Sequence, residues 1–481
     1  MKKIIISAAC LLYGAMHAHA FCGFFVAKAE TKIFNHKSQV IMVRDGDKNT
    51  ITMSNDFKGD ARDFAMVVPV PVVLKKQDIK ISEQILFDKL DAYSAPRLVE
   101  YYDQNPCMNM RYMNDAPVAL TKSVAKESMS GMENDEKKYG VKIQAKYTVG
   151  EYDIMILSAT QSSGLKDWLK INGYTIPADA HEVLDPYIRS NLKFFVAKVN
   201  LKELEKLDYQ QLRPIQITYH SPKYMLPIRL GMANSDGEQD LIVYAFTQKG
   251  RVECTNYRTV RMPTAIDMPE FIQKDFGKFY ADVFTKKWKR EGSNVVLLEY
   301  AWDLSPNQFM KCDPCVSDPP DYNDLSAAGV DWLFTKANDD YAGQYNRNQA
   351  KVYFTRLHVR YSRATFPQDL QFQVTPNTEN WQARYIIRHP ASGDLSCEQA
   401  ETYISNTIQR REKEINNLQH YAGWNKKSYA DYPEKWLNKP YRKLYKQGDV
   451  SANKMMILLF LGIQVSVVSF VLLRKKVSFK N

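Results

Sequence analysis

The chain has 481 residues, 45% hydrophobic and 25% charged, an ordinary globular mix. Its formal charge of +11 overstates the basicity of the folded part, because Lys2, Lys3, Arg474, Lys475, Lys476 and Lys480 belong to targeting or tail segments. Without these six the balance is +5, much of it in one stretch before the C-terminal apolar run. That is no basis for a nucleic-acid partner, and it suits anionic lipid headgroups better.

Residues 1–20 read as a secretory signal peptide. Lys2 and Lys3 precede a largely apolar Ile4 to Ala15, and Ala18-His19-Ala20 offers small residues at the two positions a signal peptidase reads. The apolar run is too short for a bilayer span, and bulky Phe21 before Cys22 makes a poor lipobox. About 430 residues remain between this signal and the C-terminal run, enough for two or three domains.

Val40 to Val43, Arg44-Asp45-Gly46-Asp47 and Thr50 to Met53 predict strand, tight turn, strand, with Gly46 supplying the positive φ. Phe64 to Leu74 is apolar, but Pro69 and Pro71 demote it to an edge or bulged strand. Ile85 to Tyr93 has helical spacing after a candidate N-cap, Ser82. These fill an N-terminal β-rich subdomain, 21–121, followed by a polar loop, 122–140.

The main exported region, 141–422, begins with strands at Val141 to Tyr147 and Tyr152 to Leu157, then helices at Leu165 to Ile171 and Ala178 to Ser190. Strands follow at Phe194 to Val199, Ile215 to Tyr219, Leu241 to Phe246 and Val252 to Val260. Pro269 to Arg290 reads as a helix and Val295 to Trp302 as a strand. Two or three more strands are expected, over Val352 to Tyr361, Leu370 to Val374 and Ala383 to Ile387. Ser396 opens a long helix to Tyr421, whose Ile404, Ile408, Ile415, Leu418 and Ala422 form one narrow stripe; Gly423 stops it. Strand runs with scattered helices and no regular βα alternation predict an α+β fold with mainly antiparallel sheets and packed helices.

Residues 423–454 form a basic, aromatic juxtamembrane linker. Met455 to Leu473 carries no charge and spans about 28 Å as a helix, close to the hydrocarbon thickness. Arg474, Lys475 and Lys476 follow, so 455–473 is expected to be a transmembrane helix and 474–481 a cytoplasmic tail. Lys426, Lys427, Lys435, Lys439, Arg442, Lys443, Lys446 and Lys454 are basic on the other side, so the orientation rests on the signal rather than on charge bias. The expected location is the cell membrane, single-pass, with the main domain on the periplasmic or extracellular side. The expected partners are membrane lipid and an envelope protein or ligand.

Cys10 leaves with the signal, and Cys22, Cys107, Cys254, Cys312, Cys315 and Cys397 remain. An even six in an oxidising compartment suggests up to three disulfides, in any of 15 connectivities. Cys312-Asp313-Pro314-Cys315 carries the one chemical motif. A Cys-x-x-Cys pair serves as a structural bridge, a redox dithiol or half a zinc site. Redox wants a strand before and a helix after, and both flanks here read as loop; zinc wants a second close pair, and Cys254 and Cys397 are isolated. A disulfide is therefore favoured, with redox the alternative.

His36, His181, His220, His358, His389 and His420 stand alone, and each reads as a surface or satisfied core residue. Nucleophile elbows, Walker loops and Gly-x-Gly-x-x-Gly are absent from the sequence, so no catalytic residue, cofactor or metal is expected. Asp339-Asp340 reads as solvated surface.

Several segments together resemble a bacterial exported family, domain of unknown function 2330. They are Cys22-Gly23-Phe24-Phe25-Val26-Ala27, Phe64 to Pro71, Leu90 to Arg97, Trp168-Leu169 with Gly173-Tyr174, the Cys312 to Cys315 motif, and Thr355 to Tyr361. The matches run from near residue 22 to about residue 390. The resemblance implies an envelope location and no established activity. The reading is a non-catalytic envelope module, with a thiol-dependent redox enzyme centred on Cys312 and Cys315 as the alternative.

Overall fold

A computed structural model of the chain describes residues 24–25, 34–35, 38–54, 57–58, 65–108, 141–172, 180–206, 212–234, 237–305, 317–333 and 351–437. These show a mixed α+β fold with mainly antiparallel sheets. The chain divides into two compact units. The larger comprises residues 1–97, 119–265 and 284–384; the smaller comprises 98–118, 266–283 and 385–481.

The larger unit is built on two sheets. The nine-stranded sheet runs in the order Arg258–Arg261, Val295–Asp303, Tyr353–Tyr361, Gln239–Thr247, Ser38–Asp45, Lys48–Met53, Ile215–His220 and Ile79–Ile81, with Trp381–Gln382 added on Val295–Asp303. The five-stranded sheet runs Phe24–Phe25, Ala65–Val70, Lys193–Val199, Tyr152–Ala159 and Val141–Val149. Their facing sides share one core. Val40, Met42, Leu241, Val243 and Ala245 from one sheet meet Met66, Val68, Ile154, Ile156, Phe195 and Ala197 from the other.

The two outer faces are also covered. Val67, Ile143, Leu157, Phe194 and Val196 lie under the helices Ser162–Ile171 and Ala180–Arg189 through Leu165, Leu169, Leu184 and Tyr187. On the other side, Ile41, Val43, Ile242, Tyr244, Phe246 and Phe354 lie under the helices Gln84–Ser94 and Tyr322–Ala328. The larger unit is thus layered helix, sheet, sheet, helix. This arrangement explains why its central strands read as continuous apolar runs: successive residues point to opposite faces and both faces are dry. Gln239–Thr247 is the clearest case, with six of its nine residues apolar or aromatic and nearly all buried. Each fully buried Leu, Ile or Phe there contributes roughly 1.5–3 kcal/mol.

The hairpin Ser38–Asp45 to Lys48–Met53 forms as the sequence predicts, with Asp45 opposite Lys48 and Gly46 at φ 60°. Elsewhere the structure corrects the expected elements. The strand Ala65–Val70 retains Pro69, opposite Phe194, and is flanked outside only by two-residue Phe24–Phe25 among the described residues. Ser82 is not a cap; Glu83 takes the N-cap position of Gln84–Ser94. The single strand expected over Val252 to Val260 is two, Val252–Cys254 and Arg258–Arg261, in different sheets. Asn256 breaks it by donating to the Asp369 carbonyl at 2.8 Å and accepting the Gln371 N–H at 3.1 Å. The helix expected from Pro269 begins with a 3-10 turn, Glu270–Asp275, before Phe276–Arg290.

The smaller unit holds a three-stranded sheet, Ile266–Met268, Arg384–His389 and Arg97–Tyr102, against the long helix Glu398–Ala422. The helix has the expected stripe, with Ile404, Ile408, Ile415, Leu418 and Ala422 all buried, and ends at Gly423 with φ 81°. Among the described residues no helix is long and apolar enough to cross a membrane. The expected signal, 1–20, the polar loop, 122–140, and the expected span, 455–473, lie outside the described residues.

Gly329 closes the helix Tyr322–Ala328 at φ 98°, where an added Cβ would meet Thr50 Cγ2 at 2.7 Å. Gly46 has open space around it. Gly46→Ala should cost about 1–2 kcal/mol for left-handed backbone alone. Gly329→Ala should add roughly 1–3 kcal/mol for overpacking against Thr50. Thermal unfolding of the two variants checks this; equal losses would remove the Thr50 contact from the account.

Candidate functional site

The strand Tyr353–Tyr361 alternates apolar Leu357, Val359 and Tyr361, which enter the core between the sheets, with Arg356, His358 and Arg360 on the opposite face. That face is covered. Gln84–Ser94 lies over one end, and Phe284 stacks on the His358 ring at 4.0 Å. Charge held there needs partners, since an isolated buried ion costs several kcal/mol.

Neighbouring strands supply them. Glu299, fully buried, accepts from Arg356 Nε at 2.6 Å and pairs with His358 Nδ1 at 2.7 Å. Asp240 lies 3.2 Å from His358 Nε2 and takes both Nε and Nη2 of Arg360 at 2.9 Å. Arg356 Nη1 donates to Asp91 at 2.7 Å, and the Tyr244 hydroxyl donates to the same Asp91 oxygen at 2.8 Å. Gln39 donates to the Tyr244 oxygen at 2.9 Å. The result is a ladder of alternating charge across four strands and one helix.

A bulge delivers Glu299. Leu298 pairs with Leu357, but Tyr300 pairs with Arg356, so Glu299 is the extra residue. The insertion shifts the alternation by one: Val296, Leu298 and Ala301 enter the core between the sheets, while Tyr300 and Trp302 turn to the helix-covered side.

Burial opposes charge on His358, but the Glu299 and Asp240 carboxylates outweigh it and hold the imidazole pKa above its usual value. Burial also works against Asp240, and the hydrogen bonds and charges of His358 and Arg360 overcome it, leaving that carboxyl well below its usual range. In its charged form His358 donates from both ring nitrogens to carboxylates. Such an imidazolium has no free lone pair and cannot take a proton from a substrate.

The cysteines separate. Cys107 and Cys397 are joined in a disulfide, with Cα atoms 5.5 Å apart and 290 residues between them in sequence. Asn105 shapes the turn that presents Cys107: its side chain accepts the Cys107 N–H at 2.8 Å and donates to the Ser392 and Asp394 carbonyls. Cys397 sits at the N-cap of the long helix. Cys254, expected among the disulfide cysteines, has a free and buried thiol among the described residues, 3.3 Å from Asn256 Oδ1. Cys107 and Cys397 satisfy each other, and burial pushes the Cys254 thiol up, away from the thiolate that disulfide exchange needs. Cys22, Cys312 and Cys315, and the Asp339-Asp340 pair, lie outside the described residues.

The remaining described histidines are placed singly. His220 is exposed and contacts Asp47 at 2.9 Å. His389 pairs with Glu100 at 2.8 Å and stacks on Tyr102. Among the described residues no group of three or more His, Cys, Asp or Glu is arranged to hold a metal ion. Sequence reasoning placed Arg356 to Arg360 on the expected strand Val352 to Tyr361 and in a family match, and missed the ladder. The available signal was Glu299, one charge inside the apolar run Val295 to Trp302.

Arg356→Met should destabilise the protein by about 3–5 kcal/mol, because it leaves Glu299 and Asp91 short of a cation. His358→Gln should remove a contribution that is complete below about pH 6.5 and fades as the pH rises through the raised folded-state value. Denaturation of wild type and variant between about pH 5 and 9 measures it; a difference that grows with pH would contradict the assignment.

No curated protein and no solved structure matches this chain. A family model does, over residues 16–373, a stretch containing the ladder, the hairpin and most of both large sheets. The chain accordingly belongs to the family described as an uncharacterized protein conserved in bacteria, DUF2330.

Proposed function

We propose that this chain is a non-catalytic module of the bacterial cell envelope, exported by residues 1–20 and held by residues 455–473, which engages an envelope protein or ligand outside the membrane. The Cys107–Cys397 disulfide carries this reading. Such bonds persist in oxidising compartments and are rare in the bacterial cytosol. The charged start, apolar run and small residues ahead of Phe21, and the uncharged Met455 to Leu473 followed by Arg474, Lys475 and Lys476, agree with it. The closed valences of His358 support a structural rather than catalytic use of this buried titratable cluster. Aromatic and basic residues between Trp424 and Lys454 suit an interface with anionic lipid.

The test is expression of the full chain in a bacterium, with thiol trapping in intact cells, membrane fractionation and protease treatment of spheroplasts. The expected product starts at Phe21, keeps Cys107 and Cys397 inaccessible to alkylation until reduced, stays with membranes and is cut from outside. Removal of residues 455–481 should release it. A cytosolic chain with both cysteines reduced would overturn the reading. Rapid dithiol exchange at Cys312 and Cys315 would replace it with the redox enzyme. In the purified protein, Cys107→Ala with Cys397→Ala should lower stability by about 2–4 kcal/mol.

A further inference from the structure

The chain turns back on itself after the long helix Glu398–Ala422. Gly423 stops the helix, and Asn425 caps the 3-10 turn Lys426–Tyr429 by accepting the Lys427 N–H at 3.1 Å. The turn brings Tyr429 onto Phe271, with the two rings stacked at 4.6 Å. Trp424 stacks on Tyr429 at 6.4 Å, and Lys278 Nζ lies 4.6 Å over the Trp424 ring. Four side chains from two distant stretches of chain thus form one connected series.

The series is rooted in the core of the smaller unit. Phe271 meets buried Tyr432 edge-on at 5.3 Å, and Trp424 meets buried Phe279 edge-on at 6.4 Å. Trp424 Nε1 donates to Asp282 at 2.8 Å, and Lys278 pairs with the same carboxylate at 2.9 Å. The outer side stays wet. Phe271, Trp424 and Tyr429 are only half-buried, and Lys278, Lys426 and Lys427 are exposed. Half-exposed Trp and Tyr beside lysines are the composition found where a protein meets a membrane surface.

The way the chain leaves this unit says what covers the face. Leu437 is buried among Leu395, Ala400, Ile404 and Ile408, which fixes the exit point to the smaller unit. Seventeen residues, 438–454, separate it from Met455, a reach of at most about 60 Å when fully extended. Between residues 424 and 454 eight Lys and Arg stand against three Asp and Glu. We propose that this face of the smaller unit lies on an anionic phospholipid surface: Phe271, Trp424 and Tyr429 enter the headgroup layer, and Lys278, Lys426 and Lys427 meet its phosphates. The proposal rests on the reading that residues 455–473 anchor the chain, and it adds a folded, discontinuous lipid-binding face to that anchor. A short tether makes docking intramolecular, at an effective concentration of about the millimolar range, so a weak contact suffices. Docking also gives the basic stretch a use on the outer side of the membrane, where positive charge beside a span is otherwise uncommon.

The experiment places the full chain in lipid discs of phosphatidylcholine, alone or with about 40% phosphatidylglycerol. A trace lipid carrying a diazirine on its headgroup labels whatever touches the surface, and peptide mapping locates the label. Residues 438–454 should be labelled in both discs. Peptides covering 270–278 and 424–430 should be labelled at least about fivefold more in the anionic discs, the effect of about one basic residue at the surface. Salt at about 0.5 M should abolish the difference, and so should Lys426→Glu with Lys427→Glu. If that double variant does not fold, the salt series on wild type decides. A chain that leaves the discs overturns the anchored reading and this proposal with it. A chain that stays, with 438–454 labelled and 270–278 and 424–430 bare or alike in both lipids, overturns this proposal alone and leaves the face to a protein partner or a second copy.

Discussion

Glu299 is a carboxylate with no exposed surface, held by Arg356 and His358. Much of the larger unit answers to the cost of keeping it there. A buried ion must be met by full hydrogen bonding, so the strand Tyr353–Tyr361 has to stand beside Val295–Asp303 in one register. The bulge at Glu299 sets that register. It also turns Tyr300 and Trp302 toward the helix-covered layer, where Tyr300 meets Tyr93 at 5.5 Å. Arg356 extends the constraint to Asp91, and so fixes the helix Gln84–Ser94 on the sheet. Apolar packing supplies the energy of this layer, and the charges choose among the ways it could be packed.

The strands of the larger unit were legible because nearly all of them alternate between two dry faces. Val40 to Val43 and Leu241 to Phe246 declare themselves by β-branched and aromatic content alone. The partnering of sheets was not legible, since a run buried on both sides does not say what lies on each. Arg356-Leu357-His358-Val359-Arg360 misleads in a specific way. Its alternation reads as a strand with one wet face, yet Arg356 is 3% exposed. The carboxylates that make this tolerable come from residues 91, 240 and 299, distant in sequence and joined only by the fold.

The smaller unit shows a similar limit on a helix. Ile404, Ile408, Ile415, Leu418 and Ala422 leave one gap in steps of four and three, and Arg411 fills it. An arginine at an interior stripe position was a readable sign of a buried partner. Which partner was not readable, because Glu270 and Tyr432 reach it from separate segments. The cysteines behave alike: their even number suggested bridges, and only the fold shows Cys107 beside Cys397 with Cys254 left as a free core thiol.

The bond between Cys107 and Cys397 sets an order on biosynthesis. The ribosome makes Cys397 some 290 residues after Cys107, a delay of roughly 15–60 s at ordinary elongation rates. During that interval Cys254, Cys312 and Cys315 emerge while Cys107 still lacks its proper mate. The smaller unit is assembled from three stretches of chain, and the last contains the long helix. It therefore cannot close until Glu398–Ala422 has been made, and any early pairing of Cys107 has to be undone by thiol exchange before the helix can dock.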